Sequence, residues 1–190
     1  TVIVQQRLLD GDGKIVKAEG KEVMARTTLK LDKEKTAEVV QNLLVSHPKL
    51  WDLDFPYRYT VETIIKKGGK TIDKYLTPFG IRSVKFDKDK GFFLNNKHLK
   101  LKGMCLHQDA GCLGTAVPDR AYERRLLILK EFGTNAIRCS HNPPSPEFLN
   151  YCDSIGFLVI DEAFDKWKSG YYEEFFDSSW QQDISDMVIR

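Results

Sequence analysis

The segment NAIRCSHNPPSPEF, residues 135 to 148, sets an arginine, a cysteine, a serine and a histidine in consecutive positions ahead of a broken run of prolines. Arg138 sits inside the apolar run AIRC, where an unpaired guanidinium would be costly to bury, so it must meet a carboxylate, structural or catalytic. His141, before Asn142 and Pro143, can meet a ligand or hydrogen-bond its own turn. Polar groups recur after two other short apolar runs: His107, Gln108 and Asp109 follow LKGMCL, and Asp161, Glu162 and Asp165 follow FLVI. One of the adjacent carboxylates Asp161 and Glu162 can equally cap the next segment or pair with Arg138. In a parallel α/β sheet the residues just past the carboxyl ends of the strands form the functional face. Three successive strands delivering charge to one end favour a binding or catalytic site over three unrelated turns.

Other chemistries fit these residues less well. A zinc site from His107, His141 and the nearby cysteines lacks the usual ligand spacing. Ser140 and His141 make a poor nucleophile pair, because adjacent side chains rarely face each other and no glycine-flanked elbow is present. Trp51, Trp167 and Trp180 could stack on sugars, although Trp51 reads better as packing. No metal and no cofactor is expected.

The elements that must position these residues fall into two halves. Over residues 2 to 86, VIVQQRLL, KIVKA, EVMARTTLKL, TAEVVQNLLV, YRYTVETII and the stretch around IRSVKF read as strands. Period-two alternation puts Val23, Ala25, Thr27 and Leu29 on one face and Met24, Arg26, Thr28 and Lys30 on the other; it also aligns Tyr57, Tyr59, Val61, Thr63 and Ile65. DGDG at Asp10 to Gly13 and KKGGK at Lys66 to Lys70 supply the positive φ that hairpins need. Residues 1–86 are therefore expected to form an antiparallel β-sandwich.

From about residue 101 the period changes to strand, helix, strand, helix, strand. The first helix is expected from Asp119, as N-cap, to Phe132, with Tyr122, Leu126, Leu129 and Phe132 inward and Gly133 as the stop. The second is expected to be capped by Ser145, with Pro146 in its first turn, Phe148, Leu149, Cys152 and Ile155 on one face, and Gly156 at its end. Buried strands alternating with amphipathic helices predict a parallel sheet, the start of a (β/α)8 barrel or of a doubly wound sheet. Roughly 90 residues remain for it where a full barrel needs about 250, so residues 87–190 are expected to hold only its N-terminal portion. GFFLNNKHLKL, Gly91 to Leu101, is the expected joining hairpin, turning at Asn95 and Asn96.

Composition narrows the class. The chain has 190 residues, 42% of them hydrophobic, and 29 basic against 27 acidic side chains give a net charge of +2, which does not call for nucleic acid. No apolar run approaches the roughly 18 residues of a membrane span, and TVIVQQRLLD lacks the features of a signal peptide. The four cysteines, Cys105, Cys112, Cys139 and Cys152, are expected as free and mostly buried thiols.

SHPKLWDLDFPYRYTVET, FGIRSVKFDKDKGFFLNNKHLKLKGMCLHQDAGCLG and LKEFGTNAIRCSHNPPSPEFLNYCDSIGFLVIDEAFDKW together resemble glycoside hydrolase family 2, the family of β-galactosidases and β-glucuronidases. The resemblance implies an immunoglobulin-like sandwich, lacking its first strand or strands here, followed by the first βα units of a catalytic TIM barrel. It further implies a retaining exo-β-glycosidase, most readily a β-galactosidase, with β-glucuronidase or β-mannosidase as alternatives. A carbohydrate-binding or interaction module that keeps the fold without the chemistry is the competing class. Such enzymes use two glutamates about 5 Å apart, an acid/base and a nucleophile; the family's pair comes from later barrel strands, so no catalytic residue is expected in this chain, which alone should be inactive. His107, Asp109 and His141 would contact the sugar, Arg138 would orient the nucleophile, and Asp161 and Glu162 of the DEA motif would support them or touch substrate. Two departures stand out: Asn96 where the family often has glycine, and Lys166 where a magnesium-ligating glutamate often stands, which argues against that metal. An unfinished barrel would expose strand edges, making pairing with a second copy an expectation.

Overall fold

The computed structural model describes residues 1–162; Asp165, Lys166, Trp167 and Trp180, named above, lie outside them. The chain divides into two compact units, residues 1–84 with 94–96, and residues 85–93 with those from 97 onward.

The first unit is built on an antiparallel sheet. Its strands are β1 (Val2–Leu9), β4 (Met24–Leu29), β5 (Tyr59–Lys67) and β6 (Lys70–Phe79), in the order β4-β1-β5-β6, while β2 (Lys17–Ala18) and β3 (Lys21–Glu22) form a small hairpin. The alternation expected in β4 is present, with Ala25, Thr27 and Leu29 half-buried and Met24, Arg26 and Thr28 exposed. β5 and β6 turn at Gly68 and Gly69, both at positive φ, which is the backbone a two-residue hairpin loop requires. Three expectations change. β6 has a full ladder to β5 where the sequence pattern predicts no strand. TAEVVQNLLV belongs to no sheet. In β5 the deepest side chains after Tyr59 are Glu62 and Ile64, on the face opposite the aligned tyrosines.

The segment from Val39 to Val45 supplies the second layer over this sheet. Leu43 and Val45 pack with Leu8, Val23 and Tyr59, and the Gln41 amide donates to the Val4 carbonyl at 3.0 Å and to Thr27 Oγ1 at 2.8 Å. At the other end Trp51 is 1% exposed, with the Arg82 guanidinium 4.7 Å from its ring centre. A Cβ on Gly80 would lie 2.6 to 2.8 Å from the Trp51 side chain. Gly80→Ala is therefore expected to destabilise the protein by about 1 to 3 kcal/mol, the usual range for an overfilled core. An unchanged urea midpoint in that variant would refute the close approach.

Three short strands, β7 (Val84–Asp87), β8 (Gly91–Leu94) and β9 (Lys97–His98), form a further sheet in the order β7-β8-β9. Asn95 and Asn96 take φ of 50° and 64°, as the turn requires. Within the first unit the Asn95 side chain donates to the Trp51 carbonyl and accepts from the Ser83 amide.

The second unit holds a parallel sheet of β10 (Gly103–Leu106), β11 (Ala136–Cys139) and β12 (Leu158–Ile160), in that order, joined by α1 (Asp119–Glu131) and α2 (Pro146–Ile155). Leu126, Ile137, Cys139, Phe148, Cys152 and Phe157 form its core. Ser145 caps α2 by accepting from the Phe148 amide at 3.2 Å, and Gly156 ends it in the left-handed region, as expected. The start of α1 differs: Pro118 occupies the cap position and Asp119 is the first helical residue, placed where a carboxylate favours the helix dipole. Phe132 is 85% exposed and not part of the inner face, because the helix stops one residue before it. The cysteines are free, but Cys105 and Cys112 are exposed and only Cys139 and Cys152 buried; the expectation of mostly buried thiols fails for half of them.

Candidate functional site

Strand register decides which side chains meet. Cys105 on β10 is paired with Arg138 on β11, and Arg138 with Ile160 on β12. Alternation turns Ile137 and Cys139 toward the helices and puts Cys105, Arg138 and Ile160 on the opposite face of the sheet. Ser140 and Glu162, each two residues beyond a member of that row, continue it past the carboxyl ends of the strands.

The result is a cluster centred on Arg138. Its Nε forms an ion pair with Glu162 Oε1. Its Nη1 donates to Ser140 Oγ at 3.3 Å and to Cys105 Sγ at 3.6 Å, and its Nη2 lies 3.3 Å from His141 Nδ1. The second oxygen of Glu162 is 3.0 Å from the same Nδ1, so one carboxylate holds both the guanidinium and the imidazole. The Ser140–His141 peptide is cis. His107 joins through its ring, edge-on to His141 with centroids 5.4 Å apart.

Charge is concentrated accordingly. The Arg138 pKa is raised by its bonds to Cys105 and Glu162, which keeps it a cation. The Arg138 and Ser140 side chains lower the Cys105 thiol, whereas burial pushes Cys139 up to about 12. Burial also raises the Asp161 carboxyl, whose Oδ1 has no hydrogen-bond partner among the described residues.

The cluster brings together several of the residues that the sequence singled out. Arg138, His141, Glu162 and His107 come together. Asp109 does not join them; its backbone carbonyl accepts from the Arg125 side chain at 3.0 Å. Ser140 joins the cluster, being buried and accepting a hydrogen bond from Arg138. Cys105 went unnoticed, although aligning GMCL with AIRC would have paired it with the arginine. His107, Gln108 and Asn142 also line a cavity of about 340 Å³ that reaches back to Tyr122 and Phe148. Ser140 also lines it, so the cavity adjoins the charged cluster through Ser140 and His107, while Arg138, His141 and Glu162 lie outside its lining. Among the described residues no group of His, Cys, Asp and Glu side chains could hold a metal ion, and no helix is long and apolar enough to cross a membrane.

Comparison with known proteins places these features. Residues 1–82 match the family model described as glycosyl hydrolases family 2, and residues 84–183 match its TIM barrel domain. A β-galactosidase of Bacteroides ovatus is 48% identical over 179 residues, 91% of this chain and 21% of that protein. A β-glucuronidase of Bacteroides fragilis is 32% identical over 180 residues, 92% of this chain and 26% of that protein. Among solved structures, a glycosyl hydrolase family 2 member from Bacteroides cellulosilyticus superposes with a TM-score of 0.86 at 42% identity, covering 98% of this chain and 24% of its own. The chain thus spans between about a fifth and about a quarter of the length of these relatives. The sandwich and the parallel sheet are the sandwich-like β domain of this fold and the start of its barrel, as the sequence predicted.

Proposed function

The chain belongs to glycosyl hydrolase family 2, and on that footing we propose that it is part of a retaining exo-β-glycosidase acting on terminal β-galactosides. The observation that carries this reading is the bonding of Arg138. Three of its five N–H groups are engaged, Nε by Glu162 and Nη1 by Ser140 and Cys105. The Nη2 pair has only the His141 ring within reach among the described residues. A cation held from behind, with a planar two-proton face still open, is suited to grip a carboxylate.

In the mechanism that the family resemblance implies, that carboxylate is the nucleophilic glutamate of a later barrel strand. Arg138 would hold it ionised and aligned with the anomeric carbon, since a nearby cation favours the charged form. A second glutamate would protonate the departing oxygen, and water would then release the sugar from the enzyme. His107 and His141 would bind sugar hydroxyls, with bonds that strengthen as the ring flattens toward an oxocarbenium ion. Asp109 would reach the sugar from its loop, independently of the cluster, and Asp161 would support the Glu162 segment.

The galactoside assignment is supported by the similar β-galactosidase of Bacteroides ovatus, and β-glucuronide is the rival because a β-glucuronidase is also similar. A panel of nitrophenyl β-galactoside, β-glucuronide and β-mannoside assayed with the full-length enzyme decides. The galactoside is expected to give the highest kcat/KM. A preference for the glucuronide would refute the galactoside assignment, and no turnover of any of the three would refute the enzyme reading in favour of a binding module.

A further inference from the structure

His141 Nδ1 has two polar neighbours whose demands conflict. Arg138 Nη2 can only donate, so a bond to it would need a lone pair on Nδ1, whereas an ion-paired carboxylate can only accept, so the bond to Glu162 needs a proton there. A ring nitrogen carries one or the other. The Glu162 contact is the shorter, 3.0 against 3.3 Å, and a hydrogen bond to a charged acceptor is the stronger kind. Glu162 is itself fixed, because its other oxygen is held by Arg138 Nε.

We propose that Glu162 is a positioning residue that fixes His141 in the tautomer with the proton on Nδ1, so that the neutral ring presents Nε2 as a hydrogen-bond acceptor. Two consequences follow. His141 takes a proton in hydrogen bonding from its ligand and does not give one, so it selects a group bearing O–H. Nδ1 is also removed as an acceptor for Arg138, so both Nη2 protons stay available to a carboxylate. One glutamate thereby sets the polarity of the histidine and the arginine together. The structural part of the inference stands on the cluster alone; its application to a sugar hydroxyl rests on the proposed function.

The test reads the tautomer directly. The full-length enzyme is labelled with ¹⁵N-histidine, the His141 ring signals are assigned by their loss in His141→Gln, and spectra are taken at the alkaline end of the titration. The wild type is expected to show a protonated Nδ1 and a bare Nε2, and Glu162→Ala is expected to move the proton to Nε2. A wild-type ring protonated on Nε2, or an Nδ1 proton that survives Glu162→Ala, overturns the proposal. The wild-type spectrum decides even where that variant fails to fold. Kinetics separate the two layers: kcat/KM for nitrophenyl β-galactoside is expected to fall roughly 10- to 100-fold in Glu162→Ala, the worth of one hydrogen bond to a charged group. A tautomer that moves while kcat/KM holds would support the positioning role and overturn the assignment of His141 to the sugar.

Discussion

Arg138→Ala in the full-length enzyme is expected to lower kcat for nitrophenyl β-galactoside by roughly 100- to 1,000-fold, the scale of removing one preorganised donor from a site of developing charge. KM should move by less than about threefold, because the guanidinium acts on the nucleophile and not on the resting sugar. The geometry gives the reason. Nε and Nη1 are anchored by Glu162, Ser140 and Cys105, so the Nη2 edge is held in place before substrate arrives. Arg138→Lys tests the same idea from the other side: it keeps the charge but replaces the fork by a point donor, and it should recover little of the loss. Full activity in Arg138→Ala would remove the residue from the site, and a large rise in KM at unchanged kcat would reassign it to sugar binding.

The paired register of the parallel strands explains how much of this site the sequence exposed. Arg138 was legible because a charge within an apolar run signals a partner, and Glu162 because two carboxylates follow FLVI. Which carboxylate serves was not legible: Glu162 lies in phase with Arg138 across the sheet, while Asp161 is out of phase and Asp109 sits in a loop where period two no longer applies. Cys105 and Ser140 were missed for a related reason, since neither carries a formal charge and both matter only through the strand they face or the arginine they touch. In the sandwich, β6 escaped because its residues are exposed on both faces nearly throughout; its ladder to β5 leaves no hydrophobic period. TAEVVQNLLV shows the converse, a good alternation produced by packing over a sheet without joining one. Hydrophobic periodicity reports which side is covered, and backbone pairing has to be learned from the register.

The same distinction gives Glu62, on the first unit's sheet, a direct part in stability. It is 2% exposed, lies directly across from Arg7 on β1, forms an ion pair with it, and meets Lys74 of β6 at 2.6 Å. Arg7→Met is expected to destabilise the protein by about 3 kcal/mol, at the low end for stripping a partner from a buried charge because Lys74 remains. Adding Glu62→Leu should recover most of that loss, since a buried pair replaced by apolar side chains is often neutral or better. The pH dependence follows from the depressed Glu62 pKa, whose largest cause is the Arg7 bond and next favourable cause the Lys74 bond, with burial opposing both. A carboxyl held below its unfolded value, about 4.3, contributes stability that is fully present above that pH and is lost as pH falls through the folded value. Removing Arg7 raises the folded value, so in Arg7→Met the acid loss begins at higher pH, and in Arg7→Met/Glu62→Leu this part of the acid dependence disappears. Urea unfolding at stepped pH from about 7 to 3 reads all three curves. Superimposable acid limbs in the wild type and the double variant would show that Glu62 is not linked to folding.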